Sequence, residues 1–191
     1  MRRILFAVLL MAGLVPAASA QNHVELGAYG DYFRLSQTNT NMAGLGARLG
    51  VTVVPPLSFE AEMSYDFEQA FTEGFTNTGT GTITTAPSNV QLLYGLFGPK
   101  IETHGPVHVF LTAKGGFIHF NLGNVPGTFG SFTSSVENLR ENNVSAAFYP
   151  GGGVEGNLGP IGLRFDVGDD IYFNSGTHHN LRIAFGPIIR F

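Results

Sequence analysis

The feature that most constrains this chain is a strict two-residue alternation of apolar and polar side chains over long segments. The segment 57–69, LSFEAEMSYDFEQ, has apolar residues at each odd position from Leu57 to Phe67 and serine or acidic residues between them. The segments 161–173, IGLRFDVGDDIYF, and 181–191, LRIAFGPIIRF, largely follow the same rule. Successive side chains of a β-strand point to opposite faces, so this pattern predicts strands and argues against helices.

The alternation predicts an all-β chain of eight strands, although it is less clean in the first, fourth and fifth. Tight connections at 55–56, 103–106 and 159–160 alternate with longer polar ones, of which 72–88 and 122–142 are the longest. An even strand number places the tight turns beside both termini and the long loops at the opposite end. The predicted strands lie near residues 23–35, 42–54, 57–70, 89–102, 107–121, 143–158, 161–173 and 179–191.

The first twenty residues, MRRILFAVLLMAGLVPAASA, have a different character. Two arginines precede a short apolar run, and small residues follow it up to Ala20. This order is typical of a secretory signal peptide, and the apolar run is shorter than the roughly 20 residues that a membrane-spanning helix needs. We therefore predict a signal peptide at 1–20, cleaved after Ala20, and one domain at 21–191.

Composition and strand length bear on which face of the strands points outward. Charged residues make up only 13% of the chain, against about 25% in an average soluble domain. The predicted strands are longer than the usual 5–6 residues of globular sheets and long enough for a tilted membrane span of roughly 9–11. Both observations favour a membrane barrel with its apolar face outward.

A soluble, lipocalin-like barrel that binds an apolar ligand is the alternative. The net charge of −4 argues against a nucleic-acid partner in either case.

The N-terminal segment, the eight alternating strands, the short turns beside the termini and the closing strand IAFGPIIRF resemble small bacterial outer-membrane barrels of the OmpA/OmpX type. The resemblance implies an eight-stranded antiparallel up-and-down transmembrane β-barrel in the bacterial outer membrane, surrounded by lipid and lipopolysaccharide. It also implies that the barrel assembly machinery recognises the terminal aromatic residue, Phe191. Long loops of this family contact surfaces, host molecules or phage, which makes 72–88 and 122–142 the expected ligand-binding segments.

An inward polar face would fill the lumen with charge. The interior of an eight-stranded barrel is just wide enough for side chains, and buried charges must be paired. We therefore predict a plug of ion pairs, with a narrow, gated, weakly cation-preferring pore as the alternative because acids outnumber bases. The predicted lumen charges are Glu25, Asp31, Arg48, Glu60, Glu62, Asp66, Glu68, Lys100, Glu102, Lys114, Glu155, Arg164, Asp166, Asp170, Arg182 and Arg190.

The sequence predicts no catalytic residue, cofactor or metal ligand. Some small outer-membrane barrels modify lipid A, and hydrolysis requires a nucleophile, a base and an orienting acid within reach of one another. The segment after His119 reads HFN and lacks the His-x-Ser arrangement of a lipid A deacylase, and adjacent residues such as His178 and His179 point to opposite faces of a strand. We therefore expect a structural or surface-interaction barrel, with a lipid-modifying enzyme as a further alternative.

Overall fold

A computed structural model of the chain describes residues 23–77, 79–123, 132–133 and 143–191. The predicted signal peptide 1–20, its cleavage site at Ala20 and most of the segment 122–142 lie outside the described residues. Within the described part, no helix has the length and apolarity that a membrane-spanning helix needs. The strands are β1 (Val24–Leu35), β2 (Thr40–Val54), β3 (Leu57–Asn77), β4 (Ile83–Glu102), β5 (Val107–Gly123), β6 (Phe132–Thr133), β7 (Val144–Leu158), β8 (Ile161–Phe173) and β9 (Thr177–Arg190).

Eight of these strands close into an antiparallel barrel. Each long strand pairs with the long strands that precede and follow it in the chain, and pairing of β1 with β9 completes the circle. The very short β6 instead pairs with Thr76 and Asn77 at the end of β3. The predicted all-β, up-and-down architecture is therefore confirmed.

The connections lie at two opposite ends of the barrel, but the predicted contrast in length does not hold for 36–39, 78–82 and 174–176, which are about as short as the tight turns. The short turns at 55–56, 103–106 and 159–160 lie at one end, here called the terminal end. The start of β1 is bonded to the last residue there, because the Phe191 backbone N–H donates to the Val24 carbonyl oxygen at 2.9 Å and the Val24 N–H donates to the Phe191 carbonyl oxygen at 3.3 Å. The opposite end, with the β1–β2, β3–β4, β5–β7 and β8–β9 connections, is here called the loop end.

The apolar face of the strands points out of the barrel. On β8, Ile161, Leu163, Phe165 and Val167 are 40–59% exposed, whereas Arg164 between them is 2% exposed. A large apolar side chain in hydrocarbon contributes roughly 1.5–3 kcal/mol relative to water. A shift of one residue would exchange the two faces, so the pairing register is strongly specified.

The segment 72–88 is mostly strand, and its prediction as a loop is wrong. Pairing of β3 with β4 continues from Ala70 opposite Asn89 to Thr76 opposite Ile83. The two strands connect through 78–82, where the Asn77 side-chain oxygen accepts from the Gly79 N–H at 2.8 Å. Threonine is favoured on an exposed pleated surface, so the polar composition of this segment reflects exposure beyond the barrel wall.

Sharp curvature of the wall depends on glycines at close backbone contacts. A Cβ at Gly153 would lie 2.0 Å from the carbonyl oxygen of Phe165, and one at Gly186 would lie 2.0 Å from that of Ala28. No real Cβ tolerates such contacts, so only glycine allows the neighbouring strands to bend this closely together.

Candidate functional site: the barrel lumen

The terminal-end half of the lumen is filled by paired charges. Six acids and six bases make ion pairs with one another, and almost all of them are buried. We call this set the charge network. Its members are the predicted lumen charges other than Asp31, Asp66, Glu68 and Asp170, namely Glu25, Arg48, Glu60, Glu62, Lys100, Glu102, Lys114, Glu155, Arg164, Asp166, Arg182 and Arg190.

Lys100 connects four strands from its position on β4. Its ammonium nitrogen lies 2.9 Å from Glu155 Oε1, 3.0 Å from Glu102 Oε2 and 3.2 Å from Glu60 Oε1. A fourth acid, Glu25 on β1, lies at 3.4 Å. One cation therefore offsets the charge of several acids that are far apart in the sequence.

Arg164 connects the opposite wall to the same acids. Its guanidinium donates to both carboxylate oxygens of Glu60 on β3, and its Nε donates to Asp166 at 2.8 Å. A planar guanidinium matches a carboxylate in this two-bond geometry. The side chain is 2% exposed and stacks over the Phe110 ring at 4.1 Å, so it is packed as well as paired.

Arg182 occupies the middle of the lumen inside a ring of aromatic side chains. Its guanidinium carbon lies 4.6 Å from the Tyr94 ring centre, 4.8 Å from that of Tyr149 and 5.5 Å from that of Tyr29. It donates to Glu62 Oε1 at 2.6 Å and to the Tyr29 hydroxyl at 3.2 Å. Sequence reasoning missed the three tyrosines, although each has the same strand parity as a predicted lumen charge.

The prediction that Glu68 points into the lumen is wrong. Asp66 pairs with Leu92 and Gln69 with Val90, so β3 contains one more residue than β4 over this interval. Such a bulge reverses the alternation beyond it. The Glu68 side chain is consequently exposed, where its Oε1 accepts from the Asn89 side-chain amide at 2.5 Å.

The loop-end half of the lumen is apolar, which the sequence did not predict. Its apolar side chains are at most 5% exposed and form one contiguous cluster, although a few buried polar residues such as Ser88 and Asn180 lie at the same end. We call this set the apolar layer. At this end of β1, β4 and β5, both the inward and the outward positions include apolar residues. This explains why the alternation of apolar and polar residues is less clean in these three strands. The fully buried side chains of the layer include Phe33, Leu35, Met42, Val90, Leu92, Ile118, Phe120 and Tyr172.

The histidines near the loop end belong to local contacts. His178 stacks on the Tyr172 ring with centres 4.8 Å apart, and His179 Nδ1 lies 2.5 Å from Asp169 Oδ2 on the outer surface. Among the described residues, no group of three or more His, Asp or Glu side chains has a geometry that could hold a metal ion.

The terminal residue lies at the seam of the barrel. Phe191 is half exposed, and its backbone pairs with Val24 at the edge where β1 meets β9. The side chain is therefore accessible from outside. Its recognition by the assembly machinery stays a prediction.

Comparison with known proteins places the fold. No protein-family model matches the sequence, and no curated protein matches it. Neisserial surface protein A matches in structure with a TM-score of 0.55 and 14% identity, over 88% of this chain and 96% of that chain. The N-terminal β-barrel domain of Pseudomonas aeruginosa OprF matches with a TM-score of 0.48 and 13% identity, over 90% and 98%.

A third solved structure is the attachment invasion locus protein Ail of Yersinia pestis, in complex with the heparin analogue sucrose octasulfate. It matches with a TM-score of 0.47 and 12% identity, over 89% of this chain and 97% of that chain. At sequence identities this low, the similarity shows the architecture alone. The conclusion about the fold rests on the match to the Neisserial protein. The chain therefore has the fold of the small eight-stranded outer-membrane β-barrels.

Proposed function

We propose that this chain is a bacterial outer-membrane barrel that has a closed lumen and acts through contacts at its loop end. The observation that carries the proposal is the ribbon formed by residues 70–77 of β3 and 83–89 of β4, here called the β3–β4 ribbon. Pairing of β2 with β3 stops at Asp66, and pairing of β5 with β4 starts at Asn89. The ribbon consequently extends beyond the neighbouring strands β2 and β5 as far as the described residues show.

The apolar exterior supports placement in a membrane. Outward side chains of β2 such as Leu45, Leu49, Val51 and Val53 are 37–62% exposed, and other strands continue this band. A soluble monomer rarely exposes so large a contiguous apolar surface. A lipocalin-like alternative would need an apolar pocket reaching into the barrel, whereas ion pairs fill the terminal-end half. Outer-membrane lipid and lipopolysaccharide are therefore the proposed surroundings, and the assembly machinery is a proposed partner through Phe191.

The two layers of the lumen support closure. An ion that crossed the barrel would have to displace paired charges and then pass the apolar layer, which offers few groups to replace its hydration shell. The charge network and the apolar layer thus oppose conduction by different means. We propose on this ground that the protein is a plugged barrel and not a pore.

Planar-bilayer recording tests closure. We expect no unitary current steps from the purified barrel at either polarity, because both layers are packed. Unitary steps that change size in Lys100→Gln, a substitution within the charge network, would contradict the closed lumen. Rare current steps of the same size in the wild type and in Lys100→Gln would instead come from contaminating channels. A recording from a preparation made without the protein controls for these.

The chemistry of the ribbon indicates which contacts it makes. Residues 70–89 contain no lysine or arginine and one acid, Glu73, among many threonines, glycines and asparagines. Such a surface does not suit a polyanion. Within the described residues, β6 pairs with only two positions of the β3 edge, and an open strand edge is a template for pairing with another chain. We propose a protein partner that binds through hydrogen bonds and not through charge.

Shortening the ribbon tests the surface role. Ala70 and Asn89 are paired neighbours, so an Asn-Gly turn can replace 71–88 and close the hairpin at the barrel wall. We expect adhesion to host-cell monolayers to fall at least about tenfold for bacteria that display the shortened chain. A tenfold change in affinity corresponds to about 1.4 kcal/mol of binding free energy. Adhesion of the full chain should change little with salt, since few charges take part.

The matched control for this experiment is Glu68→Gln at the base of the ribbon, which keeps its length and its edges. Undiminished adhesion of the shortened chain, with folding verified by gel mobility of unheated samples, would contradict a role for the ribbon.

A further inference from the structure

Among the residues that the structure describes, three buried acids in the middle of the lumen have no cation of their own. The charge network balances six acids with six bases, and Asp31, Asp66 and Asp170 are additional to it. They are 6%, 0% and 0% exposed. The cation near Asp31 is Arg182, whose Nε lies 3.8 Å away and which already pairs with Glu62. This layer therefore has an excess of negative charge if all its acids are ionised.

Two of these acids meet above a glycine. Gly44 on β2 pairs with Asp31 on β1 and with Asp66 on β3, so the three residues form one inward row. A Cβ at position 44 would lie 2.2 Å from Asp66 Oδ1 and 2.6 Å from Asp31 Oδ1. The two carboxyl oxygens thus share the space that any other residue at Gly44 would fill.

The hydrogen bonds of the pair are unequal. Asp31 accepts from the Ser64 hydroxyl at 3.2 Å and from the Tyr94 hydroxyl. Neither oxygen of Asp66 has a hydrogen-bond partner within the described part of the chain, although the side chain is completely buried. A buried polar group without a partner is costly, and two ionised carboxylates at this separation repel each other. One proton between them would remove the repulsion and supply the missing donor.

We propose that Asp31 and Asp66 bind one proton between them, with the Asp66 carboxyl donating to the Asp31 carboxylate. The glycine at position 44 is what allows the two groups to meet. The ligand is a proton, since the described residues hold no group of acids or histidines arranged for a metal ion. The other charged or titratable groups that face this layer, from every strand packed around it, are Tyr29, Arg48, Glu62, Tyr94, Lys114, Tyr149, Asp166, Asp170 and Arg182.

The bound proton couples stability to pH in a defined direction. An aspartate in the unfolded chain loses its proton at about pH 4. Above that pH the folded barrel holds a proton that the unfolded chain has released, so unfolding is favoured as pH rises. The stability of the barrel should therefore fall as pH rises from about pH 5 into the alkaline range, for as long as the folded pair keeps its proton.

The experiment compares Asp66→Asn with the wild-type chain in detergent across this pH range, by the temperature at which unheated gel mobility is lost. Asparagine is a neutral analogue of the protonated acid and can donate to Asp31. We expect the midpoint of the wild type to fall by several degrees as pH rises, and that of Asp66→Asn to fall clearly less, with the remaining decline due to Asp170. Glu68→Gln removes an exposed acid from the same strand and should keep the wild-type decline. A decline in Asp66→Asn parallel to the wild type would overturn the proposal.

Infrared spectroscopy gives a second readout that does not need the Asp66 variant to fold. The Asp170→Asn variant removes the other buried acid without a partner, so that a protonated carboxyl can be assigned to the Asp31–Asp66 pair. At neutral pH this variant should retain the carbonyl stretch of a protonated carboxylic acid. Loss of that band would overturn the proposal. Stabilisation of the wild type by sodium over choline at equal ionic strength, absent in Asp66→Asn, would also overturn it in favour of a bound metal ion.

Discussion

Arg164→Ala is expected to lower the free energy of unfolding of the barrel by about 3–5 kcal/mol, the usual cost of removing one partner from a buried ion pair. The side chain is 2% exposed and bonds Glu60 with two donors and Asp166 with a third. Its removal leaves these acids without their main donor in a closed interior. The loss of stacking on Phe110 adds to the effect.

The measurement is the midpoint of heat or urea unfolding in lipid, read from the mobility of unheated samples on gels. Arg34→Ala is the matched control, because Arg34 lies on the exposed surface, where it donates to the Asn39 side chain at 2.9 Å. Its substitution should change stability by less than about 1 kcal/mol. Equal effects of the two variants would contradict a structural role of the charge network.

Phe165→Arg is expected to prevent most of the chain from inserting into lipid vesicles. Phe165 points outward from β8 and is 42% exposed, with Leu163 and Val167 on the same face. An arginine facing lipid near the bilayer midplane costs about 2–4 kcal/mol, to which the lost burial of phenylalanine is added. The refolded fraction after dilution from urea into vesicles measures the effect.

The conservative variant Phe165→Leu should refold almost as well as the wild type, since leucine also suits hydrocarbon. The comparison separates a membrane barrel from a soluble one, because arginine at an exposed position of a soluble protein costs little. Normal refolding of Phe165→Arg as a water-soluble monomer would contradict the outward placement of the apolar face against lipid.

The barrel could be predicted from sequence because its alternation is set by one rule that holds along most of each strand. Most outward positions of β8 and β9 are apolar and most of their charged residues point inward, so Phe165 and Arg182 could be assigned to opposite faces by counting. The rule fails at Glu68, where one extra residue in β3 reverses the count. It also fails for Phe33 and Leu92, because an apolar inward residue looks the same as an outward one.

The contacts within the lumen were beyond such counting. Parity placed Glu60 and Arg164 inside, but their hydrogen bond joins β3 to β8 across the barrel and depends on its closed geometry. The same holds for the tyrosines around Arg182. The β3–β4 ribbon was missed for a different reason, since its threonines and glycines are equally common in loops and only the pairing partner distinguishes the two.

The charge network also determines how this interior can change over evolutionary time. Lys100 contacts acids on four strands, and three of those acids, Glu25, Glu102 and Glu155, also contact Arg190. Exchanging one oppositely charged pair therefore leaves other members mismatched. Homologous chains should alter these positions jointly, as a correlated group, while outward positions drift independently among apolar residues.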